Sequence, residues 1–133
     1  MKWRSENEKC WVLLGTENRN IVKEKTFDFA LLIVQQVKIC QESHKEYVLT
    51  KQLLRSGTSI GAMVVEAEHA ESKKDFIHKM SIGLKEANET RYWVELLYAS
   101  KHLNEGTFHE LHDKITEIIK LLASIVKSSK QNI

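Results

Sequence analysis

The residues with the clearest potential for chemistry are Glu66 and His69, a glutamate and a histidine three positions apart. On a helix this spacing places both side chains on one face, where they could bind a metal ion. A di-iron four-helix bundle needs two such motifs and one glutamate from each of the other two helices. The similar pair His109 and His112 lies at the start of the last predicted helix, and the first helix has acidic residues only near its ends. The set is incomplete, so we expect no metal and no other cofactor.

Nucleophilic catalysis and phosphate binding find no better support in the sequence. Ser56, Thr58 and Ser59 lie in the middle of a predicted helix, where hydroxyl groups usually bond to the preceding turn or ease close packing. The segment 57–61, GTSIG, lacks both the preceding strand and the lysine that a phosphate-binding loop requires. The sequence therefore predicts a protein that is not an enzyme.

Length and composition favour one helical domain. The chain has 133 residues, of which 42% are hydrophobic and 29% are charged. It has no proline and only five glycines, which disfavours turn-rich β folds. The net charge of +2 gives no indication of a strongly basic nucleic-acid-binding tail. Two cysteines, Cys10 and Cys40, are too few for a disulfide framework and suit a reducing compartment.

Neither a signal peptide nor a membrane span is predicted. The apolar run at 10–14 is shorter than the stretch of about 7–15 residues that a signal peptide needs. No window approaches the roughly 18 apolar residues of a transmembrane helix. We expect a soluble, cytoplasmic protein.

Apolar residues at steps of three and four predict four helices. The first covers about 27–43, with Thr26 as its N-cap, and the second about 48–70. The third begins after a capping serine at position 72 and ends near position 103, where the following Gly106 suits a left-handed turn. The fourth carries a 3-4-3-4-3 apolar pattern, formed by Phe108, Leu111, Ile115, Ile118, Leu122 and Ile125.

Long helices with short connections are typical of an all-α, antiparallel up-down four-helix bundle. We assign the bundle to residues 21–127. Residues 1–20 form a polar leader outside it, containing Trp3 and Trp11, and residues 128–133 form a tail that is expected to fray.

The first helix carries more apolar surface than a small bundle can bury. One stripe at helical spacing consists of Phe27, Leu31, Val34 and Val37, and further apolar residues make the helix apolar around most of its circumference. Such a helix is expected to be buried on several sides. This surplus, with the small residues of the second helix, predicts a homo-oligomer.

Two glycines, Gly57 and Gly61, lie four positions apart within the second helix. A glycine inside a helix costs about 0.5–1 kcal/mol relative to alanine, so a structural reason for it is expected. Because the two share one face, we expect another helix to approach the backbone closely there.

The charges of the second helix oppose its dipole. Lys51 and Arg55 lie in its first turns, whereas three glutamates lie near its end. One interpretation is that these charges pair with the third helix, with Arg55 opposite Glu89, Lys51 near Trp93–Glu95, and Glu66 near His78–Lys79. The other is that Lys51, Arg55, Lys73 and Lys74 of several subunits converge into a basic surface that binds nucleic acid.

The motifs themselves resemble those of a known family. The segments Lys51–Ala62, Glu66–Ala67, Ser72–Phe76 and Leu84–Trp93 resemble the 23S rRNA intervening-sequence proteins, some of which are labelled S23 ribosomal proteins. The resemblance covers about 21–127. The family takes its name from reading frames in insertions of bacterial 23S rRNA genes, which does not imply a ribosomal component.

The resemblance implies a function as well as a fold. The family is similar to the accessory variability protein of diversity-generating retroelements, a homopentameric barrel of four-helix bundles that binds nucleic acid and partners a reverse transcriptase. By resemblance we expect a pentamer that serves as an accessory or scaffold protein for RNA or DNA, with Lys51, Arg55, Lys73 and Lys74 as contacts. The alternative is a protein-interaction scaffold in which Glu66, Glu89 and Glu95 satisfy those cations.

Overall fold

The protein is a bundle of four long helices. The computed structural model describes the backbone of residues 16–131 and the side chains of residues 21–131. The helices are α1 (Thr16–His44), α2 (Val48–Glu68), α3 (Lys73–Ala99) and α4 (Glu105–Gln131). The described residues include no strand, so the all-α prediction is confirmed. None of the four helices combines the length and apolar character that crossing a membrane requires.

Short turns make sequential helices antiparallel neighbours. α1 packs on α2, α2 on α3, and α3 on α4, while α4 returns to α1 with a sparser contact. This arrangement is the predicted up-down four-helix bundle. The turns after α1 and α3 therefore lie at one end of the bundle, and the turn between α2 and α3 lies at the other.

The core follows the apolar spacing of each helix. Five of the six residues predicted to form the α4 seam are buried, and Phe108 packs against them while partly buried. Full burial of one such aliphatic side chain contributes about 1.5–3 kcal/mol relative to exposure, so this seam contributes much of the packing energy of α4. The stretch from Ser128 to Gln131, for which fraying is predicted, is helical, and residues 132–133 lie outside the described part.

α1 begins earlier than predicted. It starts at Thr16, and Thr26 lies buried within it rather than capping it. The Thr26 hydroxyl donates to the carbonyl of Val22 at 2.7 Å, as a threonine inside a helix commonly does. The last five residues of the predicted leader are thus helical, whereas residues 1–15 lie outside the described residues.

Only part of the apolar stripe predicted on α1 is buried in a single subunit. The buried residues are Val22, Phe29, Ile33, Val37 and Cys40. Phe27, Leu31 and Val34 are instead 63%, 50% and 49% exposed. α1 is therefore buried on its inner side and apolar on its outer side.

The helix boundaries differ most at the turn between α3 and α4. The predicted cap at Ser72 is confirmed, since its hydroxyl accepts the backbone N–H of Asp75 at 3.0 Å. α3, however, ends at Ala99, and Lys101 rather than Gly106 takes the left-handed conformation, with φ of 68°. Asn104 caps α4, because its side-chain oxygen accepts the backbone N–H of Thr107 at 2.7 Å.

Candidate functional site

The glycines of α2 lie against α1. A Cβ atom built on Gly57 would lie 3.0 Å from both Cγ atoms of Ile33, which is closer than packed carbon atoms normally approach. A Cβ atom on Gly61 would lie 3.4 Å from the backbone oxygen of Thr26, an ordinary contact distance. Of the two glycines, Gly57 is therefore the one at which α1 lies closer to α2. At Gly61 there is room for a Cβ atom.

A third close approach is not evident from the sequence. Gly83 of α3 is buried, and a Cβ atom there would lie 3.5 Å from the Cβ atom of Met63 in α2. Because Gly83 stands alone, without a second glycine four residues away, its spacing gives no signal of packing.

The cation predicted to face α3 is paired with carboxylates. Arg55 donates to the carboxylate oxygens of Glu89 and of Glu86, the latter at 3.2 Å. Glu89 also accepts the indole N–H of Trp93 at 3.0 Å. The Trp93 hydrogen bond and the nearby guanidinium lower the pKa of Glu89, although desolvation opposes them. The predicted pairing of Arg55 with Glu89 is confirmed.

Other charges of the α2–α3 hairpin pair as well. Glu66 lies 3.2 Å from the amine of Lys79, as the predicted register requires. Glu95, in contrast, lies 2.9 Å from His112 of α4 and does not pair with Lys51. The interpretation that pairs Lys51 with Glu95 therefore lacks this ion pair, because α3 directs Glu95 towards α4.

The four predicted nucleic-acid contacts do not form one patch in a subunit. Lys51 and Arg55 lie in the first half of α2, whereas Lys73 and Lys74 begin α3 at the other end of the bundle. With a rise of about 1.5 Å per residue, α2 separates the two pairs by roughly 25–30 Å. Lys73 is buried, and Lys51 and Lys74 are exposed. Neither exposed lysine has an ion pair within residues 21–131.

Glu66 and His69, the residues considered for metal binding, have other structural roles. His69 is the C-cap of α2 and is exposed, while Glu66 pairs with Lys79. Among residues 21–131 no group of three or more histidine, cysteine, aspartate or glutamate side chains is placed to hold a metal ion.

The hydroxyl groups of α2 bond within the helix, as expected. Thr58 and Ser59 donate to the carbonyls of Leu54 and Arg55 at 2.7 and 2.6 Å. Ser56 is buried and shares a 2.9 Å hydrogen bond with the hydroxyl of Thr90 in α3. This buried hydrogen bond joins α2 directly to α3, and the Thr90 hydroxyl also lies 2.8 Å from the carbonyl of Glu86 in its own helix.

The Arg55–Glu89 pair provides a quantitative prediction. Their side chains are 48% and 32% exposed, so solvent screens the pair. In a double-mutant cycle with Arg55→Ala and Glu89→Ala we expect a coupling of about 0.5 kcal/mol in the free energy of unfolding at pH 7.

Acid should remove this coupling. The folded-state pKa of Glu89 is lowered from its ordinary 4.5, so its stabilisation is present above that value and is lost as the pH falls through the lower folded-state pKa. Urea denaturation at pH values from 7 to 3 measures both the coupling energy at pH 7 and its loss in acid. A cycle pairing Arg55→Ala with Glu95→Ala, which has a different partner, is the control. Equal couplings in both cycles would contradict the assignment.

The most unusual surface lies on the outer side of α1. Phe27, Leu31 and Val34 form a line of exposed apolar side chains, which we call the α1 ridge. Surface clusters of large apolar side chains often mark interaction sites. The sequence predicts these residues as part of an apolar stripe on the first helix. The spacing of the apolar residues does not show which side of the helix is exposed.

Grooves flank the α1 ridge on both sides. The α1–α2 groove has a volume of about 640 Å³ and runs over Ala30, Thr58, Gly61, Ala62 and Val65. The groove on the side of α4, of about 380 Å³, has a more polar rim that includes the Lys25–Glu117 ion pair. The missing side chain of Gly61 and the small neighbours of α2 make the α1–α2 groove wide and apolar.

Comparison with known proteins agrees with this fold. A family model described as 23S rRNA-intervening sequence protein matches residues 18–124. A crystal structure of a protein with unknown function from the S23 ribosomal protein family of Bacteroides thetaiotaomicron VPI-5482 is similar, with 49% sequence identity and a TM-score of 0.81. The match covers 83% of this chain and 98% of that chain. No curated protein matches the chain.

Proposed function

We propose that this chain, which belongs to the 23S rRNA-intervening sequence protein family, is a non-catalytic, cytoplasmic scaffold built from several copies of itself. The observation that carries the proposal is the α1 ridge, whose three large apolar side chains are about half exposed or more in one subunit. Covering those exposed portions contributes roughly 2–4 kcal/mol per interface. A second copy of the chain is the occupant that we propose.

The shape of this surface supports self-association. A ridge of large side chains packs well into a groove lined by small ones, as in helix–helix packing generally. Each subunit carries both parts, since the α1 ridge borders the α1–α2 groove over Gly61 and Ala62. We propose that the ridge of one subunit enters the groove of the next.

The proposed assembly is a ring of five subunits. A two-fold interface pairs a surface with itself, whereas a ring pairs two different surfaces, here the ridge and the groove. The number five comes from the resemblance to the homopentameric accessory variability protein, and the ridge-and-groove surface is compatible with a ring.

Chemical cross-linking tests the proposal. Treatment with a short amine-reactive cross-linker should give a ladder of bands that ends at five chains on a denaturing gel. The ladder should persist on dilution to low micromolar protein, because intersubunit cross-links form within stable assemblies. A single band at one chain would contradict self-association, and a ladder ending at two would replace the ring with a dimer.

Nucleic-acid binding is the second candidate function. The exposed side chains of Lys51 and Lys74, without ion pairs within residues 21–131, favour it. The pairing of Arg55 and the burial of Lys73 favour the protein-interaction scaffold instead. Repetition of two exposed lysines around a ring would give a surface charge that one chain with a net charge of +2 lacks.

A salt titration separates these two functions. If the lysines contact phosphates, binding to structured RNA and single-stranded DNA should weaken steeply with salt, by about 0.7–0.9 in log–log slope per phosphate contact. Lys51→Glu/Lys74→Glu should weaken binding at least tenfold and reduce the slope. Lys114→Glu/Lys120→Glu, on exposed positions of α4, is the matched control. Absence of binding at low salt by an assembled oligomer would leave the protein-interaction scaffold.

A further inference from the structure

A pocket at one end of the bundle combines basic groups from two separate elements. It has a volume of about 290 Å³ and lies between the last two turns of α1 and the turn that joins α3 to α4. Its polar lining includes Ser43, His44, Lys101, His102 and Thr107. We propose that this end pocket binds the phosphate group of a small anion or of a nucleic-acid terminus.

The donors of the end pocket suit a phosphate. Lys101 supplies a cation with three N–H donors, and the two imidazoles and two hydroxyl groups can supply further donors. The rings of His44 and His102 meet edge to face, with centroids 5.6 Å apart, which brings the end of α1 to the turn. No aspartate or glutamate belongs to the lining, so a bound anion would meet no carboxylate there.

The ring of His102 is held in place. Ser100 donates its hydroxyl to the carbonyl of Leu96 at 2.8 Å, so it accepts from Nδ1 of His102 at 2.9 Å. Within residues 21–131, Nε2 of His102 has no hydrogen-bond partner. When that nitrogen carries a hydrogen atom, it can donate to an anion.

Two groups near the pocket that could repel an anion, Cys40 and Glu46, are neutral or occupied. The Cys40 thiol donates to the carbonyl of His102 at 3.3 Å, and desolvation raises its pKa from 9.0, with a smaller effect of Glu46. The thiol is therefore uncharged at neutral pH. Glu46 itself accepts the backbone N–H groups of Leu49 and Thr50 at 2.8 and 3.1 Å, which directs its charge to the start of α2.

Two lysines at this end allow a matched test. Lys101 lines the pocket and Lys45 does not, yet both follow a helix end with a positive φ, of 68° and 54°. Glycine adopts such a φ without strain, so Lys101→Gly and Lys45→Gly should both fold, and each removes one positive charge. Only the first should change the pocket.

Isothermal titration with inorganic phosphate and with pyrophosphate tests the proposal. Wild type and Lys45→Gly should bind with a Kd of about 1 mM or below, and Lys101→Gly should bind at least tenfold more weakly. Absence of binding to wild type, or equal weakening in both variants, would overturn the proposal.

Two further probes identify the source of the phosphate. A short DNA strand with a 5′-phosphate is compared with the same strand bearing a 5′-hydroxyl group. Tighter binding of the phosphorylated strand, lost in Lys101→Gly, would assign the pocket to a nucleic-acid terminus. Binding of inorganic phosphate and pyrophosphate with no preference between the strands would assign it to a small free anion. The pocket belongs to one subunit, so these outcomes are independent of the proposed ring.

Discussion

Replacing Phe27 and Leu31 with glutamate is expected to convert the assembled protein into monomers. These side chains are 63% and 50% exposed in one subunit, so the substitutions should leave the bundle folded. In the proposed interface, the two substitutions remove the burial of the apolar side chains. They also place two carboxylates in the apolar α1–α2 groove of the neighbouring subunit. The combined cost is about 4 kcal/mol, or roughly a thousandfold in Kd. Size-exclusion chromatography with light scattering should then return the 15.4 kDa mass of one chain.

The matched control adds the same charge elsewhere. Ala123→Glu/Ser124→Glu places two glutamates at exposed positions of α4 that line neither groove beside the α1 ridge. This variant should keep the mass of the wild type, and circular dichroism should show helical spectra for both. An oligomer that survives Phe27→Glu/Leu31→Glu would show that the α1 ridge is not the interface.

Replacing Gly57 with valine is expected to lower the free energy of unfolding by about 2 kcal/mol. A Cβ atom there would already lie 3.0 Å from both γ carbons of Ile33, and valine adds two methyl groups beyond that Cβ. Since Ile33 is fully buried, it cannot move aside without displacing other core residues. Urea denaturation at fixed protein concentration measures the change as a lower midpoint with an unchanged slope.

A second glycine provides the control for helix propensity. Gly106 is exposed in the first turn of α4, and a Cβ atom there would meet only the Asn104 side chain, at 3.5 Å. Gly106→Ala should therefore be neutral or stabilising by up to about 1 kcal/mol. A Gly57→Val variant as stable as wild type would contradict close packing of α1 on α2.

The sequence predicts the bundle well because most apolar patterns have one solution. α4 has a single seam, and its burial follows the spacing of residues such as Leu111 and Ile115. α1 has two apolar stripes, and spacing alone cannot decide whether Phe27 or Phe29 faces the core. Packing decides it, because Ile33 must meet Gly57, which also places Phe29 inside and Phe27 outside.

The charge pairs of the α2–α3 hairpin are partly predictable from the sequence, whereas the end pocket is not. A hairpin that turns near residue 72 places Arg55 opposite Glu89, and the structure has this pair. The partner of Glu95 is not predicted, because Glu95 is directed to His112 of a third helix that pairwise reasoning omits. The end pocket unites residues about sixty positions apart, and only the fold brings His44 to His102.

The mass of the wild-type protein in solution tests the central claim most directly. Sedimentation equilibrium over a range of concentrations should give one species of about 77 kDa, five times the 15.4 kDa of the chain. A mass of 15.4 kDa at every concentration would contradict the proposal that copies of this chain cover the α1 ridge.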